Sequence, residues 1–226
     1  MRIASPAPPR PTSLPELLSR ARGLAGMTIG ELARWQGYRV PTDLRRHKGF
    51  IGQLVEVALG ASAGSDPEPD FPELGVELKT LPVTAEGRPV ESTYVCLARL
   101  DGREAMTFSE SFVGKKLARV LFVPVESSGA ALAERRIGMP FFWEPSAEDL
   151  ARLAADFERL GGRVRLGEVE ELRGQDGEVL QLRPKAMSRD ERTLGVSSDG
   201  WLTPVRPRGW YLRASFTAEL VARTFG

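Results

Sequence analysis

Hydrophobic residues recur with helical spacing between Ser13 and Gly60. Apolar residues three or four positions apart mark one face of the first and third segments, while Ser13 and Thr28 each precede a glutamate by three residues, as in a capping box. Gly60 supplies a stop signal after the last segment. The pattern predicts three helices, at residues 13–22, 28–35 and 48–59.

The period of the pattern shortens to two after residue 75. Apolar and polar residues alternate over Gly75–Leu81, so we expect Glu77 and Lys79 on the same side of a half-buried strand. A hairpin is predicted around Asp176–Gly177, with its second strand at 178–183. Further strands are predicted at 93–98, 120–125 and 139–143, and the second of these is apolar throughout and therefore central in its sheet.

Later helical signals complete a mixed α/β pattern. One helix is predicted at 111–119, and another begins at the capping residue Ser146 and is expected to end before Gly161–Gly162. The last helix is predicted near Thr217–Phe225, after a Gly-Trp-Tyr turn that contains Tyr211. Without an internal repeat or a long linker, 226 residues fit either one large domain or two small lobes that share a core.

The composition excludes several classes of protein and site. Hydrophobic residues at 42% and charged residues at 27% are ordinary for a globular protein, and no stretch approaches the ~18 apolar residues of a membrane span. Four prolines between Met1 and Pro11 argue against a signal peptide. The single Cys96 and single His47, both interpreted as structural, exclude an internal disulfide, a multi-cysteine zinc site and a two-histidine metal site, and they disfavour a catalytic triad. We therefore expect chemistry based on carboxylates, lysine and a metal ion.

The net charge of +1 conceals an uneven distribution. Residues 1–50 carry nine basic and three acidic groups, whereas residues 51–100 carry three basic and eight acidic groups. Solvated surface charge explains this pattern, and so does a cation site within a surface that binds a polyanion. Only five of the 31 basic residues are lysines, which marks them as candidates for chemistry that needs a compact ammonium group. They are Lys48, Lys79, Lys115, Lys116 and Lys185.

Asp70, six intervening residues and Glu77-x-Lys79 form a pattern typical of metal-dependent nucleases. Two carboxylates can hold a divalent cation such as Mg²⁺ against a phosphate, and a neighbouring lysine can orient or deprotonate the attacking water. Glu56, beside the apolar face of the third predicted helix, is a candidate third carboxylate, although a solvated helix flank explains it equally well. On these residues alone, a surface strand with an ion pair explains the pattern as well as a nuclease does.

Longer motifs resemble a known family. Residues 48–83, KGFIGQLVEVALGASAGSDPEPDFPELGVELKTLPV, resemble the catalytic region of the MutH family of DNA mismatch repair endonucleases. This motif is far more specific than the spacing of two carboxylates and a lysine. The resemblance covers almost the whole chain, although residues 126–130 and 187–200 depart from the family pattern. It continues in order and with matching spacing at residues 87–96, 115–126, 180–186 and 207–212.

The resemblance implies a fold, an activity and partners. The implied fold is α/β and restriction-endonuclease-like: a mixed sheet flanked by helices, in a single domain over residues 1–226 whose two lobes surround a DNA-binding cleft. The implied activity is Mg²⁺-dependent nicking of the unmethylated strand of double-stranded DNA at hemimethylated GATC sites. Activation would come from MutL bound to MutS at a mismatch. We expect a cytoplasmic monomer that does not associate with membranes and that also accepts unmethylated GATC.

The resemblance assigns an active site of five residues. By similarity, Asp70 and Glu77 would be the metal ligands. Lys79 would be the catalytic lysine. Glu56 and Lys116 match auxiliary positions of the active site.

The resemblance also assigns residues to DNA contact. Residues 183–185 resemble a loop that reads bases in the major groove, and Tyr211 resembles the aromatic residue that senses adenine methylation. The family often has Phe in place of Tyr94. Without the family, residues 183 and 185 would be strand-end charges and Tyr211 a core aromatic residue. The implied DNA-binding residues are Lys48, whose role is the least defined, Glu91, Tyr94, Arg183, Pro184, Lys185 and Tyr211.

Two other functions remain open at this point. A stand-alone restriction endonuclease would cut both strands at GATC, but it would need a duplicated site or a dimer, whereas a monomer with one active site nicks. A catalytically silent DNA-binding module would show salt-dependent binding without cleavage. The clustered carboxylates argue against the silent module, because carboxylates beside DNA phosphates are costly unless they hold a cation.

Overall fold

Helices and strands are interspersed along the chain in a computed structural model that describes residues 8–43, 47, 49–61, 68–127, 131–185, 188 and 190–226. Within these residues the helices are α1 (Leu14–Arg22), α2 (Ile29–Trp35), α3 (Phe50–Leu59), α4 (Phe112–Leu117), α5 (Ala147–Arg165) and α6 (Ala214–Phe225). The strands are β1 (Glu77–Val83), β2 (Thr93–Leu97), β3 (Val120–Glu126), β4 (Phe141–Trp143), β5 (Leu180–Pro184), β6 (Thr193–Val196), β7 (Leu202–Val205) and β8 (Arg208–Leu212). None of the described helices is long and apolar enough to span a membrane.

The chain divides into two compact units, each built from separate stretches of sequence. The first unit comprises Met1–Val90, Arg119–Glu144 and Leu220–Gly226. The second unit comprises Glu91–Ala118 and Pro145–Glu219. The expected single domain of two lobes stays a prediction.

The first unit contains a mixed sheet in the order β1-β3-β4. Strand β3 is parallel to β1 and antiparallel to β4, and its residues Val120–Val125 are buried, which confirms its predicted central position. Helices α1, α2 and α3 contribute apolar faces to the same core as β1 and β3. The core includes Leu17, Ile29, Leu32, Leu54, Leu59, Val76, Leu78, Leu121 and Val123. A mixed α/β fold with helices against the sheet is therefore confirmed.

The second unit contains an antiparallel sheet in the order β2-β8-β5 and a separate hairpin of β6 and β7. Trp210 of β8 is buried against Phe157 of α5, with ring centroids 5.0 Å apart. The hairpin was not predicted from the sequence and lies mostly in the segment that departs from the family pattern. Its two strands are joined by a turn in which Ser197 donates its backbone N–H to the carbonyl oxygen of Trp201.

The predicted helix starts are confirmed by their capping hydrogen bonds. The side chains of Ser13, Thr28 and Ser146 each accept a hydrogen bond from the backbone N–H three residues later, and the last two complete capping boxes. These contacts satisfy N–H groups that have no partner inside the helix. Helix α3 ends at Gly60, whose φ of 76° is left-handed, as the predicted stop signal requires.

Helix α5 continues through Gly161–Gly162, so the prediction that it ends before them was wrong. Each glycine inside a helix costs about 1 kcal/mol relative to alanine. Burial of Val164 in the added turn offsets this cost by about 1.5–3 kcal/mol. Arg163 in the same turn forms ion pairs with Glu168 and Asp176, at 2.6 and 2.8 Å. Tertiary contacts therefore override the local stop signal.

Two predictions about residues 176–212 were also wrong. No hairpin forms around Asp176–Gly177 in the described chain: residues 180–184 pair instead with β8, which lies beyond the β6–β7 hairpin in sequence. Tyr211 lies within the strand β8 and not in a turn. The carboxylate of Asp176 accepts the backbone N–H of Arg173 and so closes a local turn, which explains the misleading signal.

The buried carboxylate of Asp156 is expected to be a main determinant of the second unit's stability. Its Oδ2 accepts the backbone N–H groups of Val179 and Leu180 at 2.7 and 2.9 Å. Asp156→Ala leaves both buried donors without an acceptor, which should lower the free energy of unfolding by about 2–4 kcal/mol. Urea unfolding monitored by tryptophan fluorescence measures this loss.

Arg159 provides the matched control, because its guanidinium is half exposed and also bonds Asp156, at 2.7 Å. Arg159→Ala should cost less than about 1 kcal/mol, since exposed ion pairs contribute little. Equal losses in the two variants would show that the ion pair, and not the pair of backbone bonds, holds α5 to the start of β5.

Candidate active site

The six residues between Asp70 and Glu77 form a closed loop. Phe71 and Val76 exchange two backbone hydrogen bonds, with N–O distances of 2.9 and 3.2 Å, around one 3₁₀ turn. Gly75 completes the loop with φ of 62°, a left-handed conformation that glycine adopts without strain. The loop reverses the chain and returns Asp70 to the beginning of β1, which gives the sequence spacing a structural reason.

Asp70 is buried, with 6% of its surface exposed, and is bonded to β1. Its Oδ2 accepts the backbone N–H of Leu78 at 2.7 Å. A carboxylate can accept about four such contacts, so this bond orients Asp70 and is compatible with binding a cation. The structure therefore holds Asp70, the first predicted metal ligand, beside Leu78, which directly follows the second predicted ligand, Glu77.

Glu77 and Lys79 meet on one side of β1, as their alternation predicts. The Nζ atom of Lys79 lies 2.5 Å from Oε1 of Glu77, and their side chains are 15% and 2% exposed. The sequence pattern predicts that the polar side of this strand is exposed, but the side chain of Glu77 on that side is buried. Burying a carboxylate is costly unless a partner compensates its charge, and the Lys79 ammonium is such a partner.

Arg119 supports this arrangement and was missed from the sequence. Its carbonyl oxygen accepts the backbone N–H of Glu77 at 3.0 Å, and its Nη1 donates to the carbonyl oxygen of Leu74 at 3.0 Å. Its Nε also donates to Glu144 at 2.6 Å. Arg119 therefore ties the loop to the sheet, and no local motif marks it, since its three partners lie far away in sequence.

The donor set at β1 fits a hard divalent cation. Mg²⁺ is usually held by one or two carboxylates together with waters and substrate phosphates. Asp70 and Glu77 supply two such carboxylates, both buried. In the part of the chain that the structure describes, no group of three or more His, Cys, Asp or Glu residues is arranged to hold a metal ion. The candidate centre therefore rests on this pair of carboxylates.

The remaining candidates for catalysis occupy different surroundings. Glu56 is partly exposed on α3, in the first unit, and lines a groove of about 300 Å³ together with Tyr38 and Phe50. Lys116 belongs to the second unit, where it is buried in the last turn of α4. Lys48 lies outside the described residues. Auxiliary roles for these three residues stay predictions.

A second cluster, which we call the tyrosine pair, lies on the sheet of the second unit. Tyr94 of β2 and Tyr211 of β8 are directly paired in register, and their rings make an edge-to-face contact with centroids 5.3 Å apart. Two predicted base-reading cations lie over these rings: Lys185 Nζ is 4.2 Å from the Tyr94 centroid and Arg183 Cζ is 5.5 Å from that of Tyr211. The structure thus brings together four of the predicted DNA-binding residues.

The surroundings of Tyr211 favour the protonated form of its phenol. Burial raises the pKa of Tyr211 above its usual value, the Arg183 guanidinium opposes this shift, and the Glu91 carboxylate adds to it. Glu91 itself is exposed. The Tyr211 hydroxyl is therefore available as a hydrogen-bond donor as well as an acceptor.

Neighbouring residues that sequence analysis missed orient this cluster. The hydroxyl of Ser92 accepts hydrogen bonds from Gln181 Nε2 at 2.5 Å and from Arg183 Nη1 at 3.3 Å. Pro184 is exposed at the end of β5, opposite the buried Arg208. Local sequence patterns assign no role to Ser92 or Gln181, because their contact joins positions 89 residues apart.

Two carboxylates and a lysine at the start of a strand in a mixed α/β sheet place the chain among restriction-endonuclease-like, metal-dependent nucleases. Residues 59–156 match the sequence profile of the family described as "DNA mismatch repair enzyme MutH". The chain belongs to the MutH family and is a DNA mismatch repair endonuclease, a hydrolase. The family implies a divalent metal cofactor, DNA binding and partners in repair.

Relatives named "DNA mismatch repair protein MutH" match along nearly the full length of the chain. The protein from Shewanella baltica (strain OS185) is 49% identical over 217 residues, which cover 96% of this chain and 97% of the relative. The protein from Serratia proteamaculans (strain 568) is 48% identical over 226 residues, which cover 100% of this chain and 99% of the relative. The matched lengths therefore include both units.

Proposed function

We propose that the protein nicks the unmethylated strand of double-stranded DNA at hemimethylated GATC sites, with Mg²⁺ as its metal ion. The observation that carries this proposal is the tyrosine pair with Lys185 and Arg183 over its rings, since cations and a phenol are what reading guanine and the adenine amino group requires. Unmethylated GATC would also be cut. MutL, recruited by MutS, would activate the protein, which would act as a cytoplasmic monomer.

Asp70 and Glu77 would hold the Mg²⁺ ion. When bound, the ion would neutralise charge that develops on the scissile phosphate and lower the pKa of a bound water. The Lys79 ammonium has three donors, one of which is directed at Glu77, and another would orient the attacking water. Glu56 and Lys116 would act as auxiliary residues of the active site. Lys48 would contribute positive charge to it or to the DNA contact.

The tyrosine pair would read the target sequence. Lys185 and Arg183 can donate to O6 and N7 of guanine in the major groove, with Pro184 stiffening the segment between them. The protonated phenol of Tyr211 can contact the adenine amino group, where an added methyl group would displace it. Tyr94 would pack a ring against the bases, and Glu91 would join it in contacting the DNA.

Truncating Tyr211 should weaken strand choice. Tyr211→Ala removes the phenol that a methyl group would displace, so the ratio of nicking rates on the two strands of a hemimethylated duplex should fall by about 5- to 150-fold, the discrimination carried by one base-edge contact. Nicking of unmethylated DNA should fall as well. Single-turnover nicking of each labelled strand measures the ratio.

Two controls separate methyl sensing from general recognition. Lys185→Ala should slow nicking of all GATC substrates together and leave the strand ratio intact. Leu166→Ala, at the exposed end of α5, should change neither quantity. An unchanged ratio in Tyr211→Ala would mean that methylation is sensed elsewhere.

The alternative functions give different products in the same assay. Linear DNA cut in both strands without MutL would indicate a stand-alone restriction endonuclease. Salt-dependent binding without Mg²⁺-dependent cleavage would indicate a silent DNA-binding module. Addition of MutL, with sedimentation to measure the oligomeric state, tests activation and the monomer in one series.

A further inference from the structure

Gly209 is the second residue of β8, the central strand of its sheet, and is paired with Leu97 of β2 on one side and with Arg183 of β5 on the other. Glycine in a strand interior weakens the strand, and it often marks a place where other groups approach the backbone closely. The φ of Gly209 is not positive, so the backbone conformation itself does not require glycine. The reason for glycine must therefore lie in what surrounds its Cα atom.

Both rings of the tyrosine pair occupy the space that a side chain at position 209 would fill. A Cβ atom there would lie 2.8 Å from Cε2 of Tyr94, 3.2 Å from Cε2 of Tyr211 and 3.3 Å from the carbonyl oxygen of Cys96. The first distance is shorter than any normal carbon–carbon contact. The two rings thus lean over Gly209 from two neighbouring strands.

We infer that Gly209 is a positioning residue that determines specificity. Because it has no side chain, the tyrosine pair can lie close against β8, and this holds Tyr211 where it faces the adenine. Arg183 is paired with Gly209 and lies over the Tyr211 ring. The space left by the missing side chain at position 209 therefore positions both the guanidinium and the phenol. A methyl group at position 209 would push both rings outward. This inference rests on the proposed role of Tyr211, but the position of the rings can be measured without any DNA.

The first measurement therefore follows the rings alone. The chain has only three tyrosines, so ¹³C-labelled tyrosine gives few ring signals, and Tyr38 in the first unit serves as an internal reference. Gly209→Ala should shift the signals of Tyr94 and Tyr211 but not that of Tyr38. The phenol of Tyr211 should also become less buried, so its pKa should fall toward the ordinary value of about 10.

The second measurement is strand choice on hemimethylated GATC duplexes. Gly209→Ala should reduce the ratio of nicking rates on the two strands by about 5-fold, the lower end of what one base-edge contact contributes. In a Tyr211→Ala background the same substitution should change the ratio less than about two-fold, since it acts through the ring already removed. Gly162→Ala in α5 is the matched control, because a Cβ there meets nothing closer than 3.9 Å.

A compensating variant tests the steric cause directly. Tyr94 has the atom closest to the added Cβ, so Gly209→Ala combined with Tyr94→Ala should return the Tyr211 signal toward its original position and restore folding if the single variant folds poorly. Unshifted ring signals in a folded Gly209→Ala protein would overturn the inference. Shifted signals together with an unchanged ratio of nicking rates on the two strands would also overturn it. If Tyr211→Ala lowers this ratio, only the role of Gly209 is wrong. If Tyr211→Ala leaves the ratio unchanged, methyl sensing by Tyr211 is wrong as well.

Discussion

Replacing Glu77 with glutamine should reduce Mg²⁺-dependent nicking by at least about 10²- to 10³-fold, comparable to the loss of one strong transition-state contact. Glutamine keeps the size of the buried side chain but removes the negative charge that would bind the cation. It also removes the charge partner of Lys79, 2.5 Å away. Specific DNA binding in Ca²⁺ should remain close to that of the parent protein, because Ca²⁺ can occupy oxygen sites without supporting the chemistry.

Glu73 is the matched control for Glu77. It lies in the loop that connects Asp70 to β1, but it is exposed and its ion pair with Arg10, at 3.8 Å, is also exposed. Glu73→Gln should nick DNA at the rate of the parent protein. Nicking by Glu77→Gln at more than a few per cent of that rate, in a protein with an unchanged melting temperature, would remove Glu77 from the set of metal ligands. Glu77→Ala should behave like Glu77→Gln in nicking but lose more stability, because it leaves a cavity.

Lys79→Arg should lose nearly as much activity as Lys79→Ala, on the order of 10²-fold or more. Arginine keeps the positive charge but replaces a compact ammonium with a planar guanidinium that cannot donate from the same point. The stability of the two variants should differ: Lys79→Ala leaves the buried Glu77 carboxylate without its cation, whereas arginine can still compensate the charge. Nicking rates and thermal melting of both proteins measure the two effects separately.

Lys115 provides the control for this substitution. Its ammonium is exposed on α4, 5.7 Å from the ring centroid of Phe112, and it is the only lysine not assigned to the active site or to DNA contact. Lys115→Arg should therefore leave the rate of nicking unchanged. If Lys79→Arg restores most of the rate lost in Lys79→Ala, Lys79 acts only as a charge and its role in orienting water is wrong.

Local sequence signals located three helix starts and the strand that carries Glu77 and Lys79. A capping contact joins residues three apart, so Ser13, Thr28 and Ser146 could be recognised without any tertiary information. The alternation of Glu77 and Lys79 likewise placed them on one side of β1, because the period of a strand is a property of the backbone. Tertiary structure changed the outcome where distant contacts outweighed the local preference, as at the glycines inside α5.

The pairing of strands could not be predicted locally. The hairpin expected at Asp176–Gly177 would have joined neighbouring segments, but β5 pairs with β8, and β8 also pairs with β2 from much earlier in the chain. Such pairing depends on which apolar faces can share a core, and Trp210 packing on Phe157 is one of the contacts that decide it. For the same reason Tyr211 was expected in a turn and lies in a central strand.

The sequence by itself determined which side chains are available for chemistry: few lysines, one histidine, and two carboxylates and a lysine in a pattern typical of metal-dependent nucleases. Side-chain chemistry and local backbone period need no fold to be recognised. Only the tertiary structure decided that a closed loop returns Asp70 to β1 and that Arg119 ties this loop to the sheet. It alone also showed that Gly209 gives two tyrosines their space, because close approaches between residues distant in sequence exist only after the chain has folded.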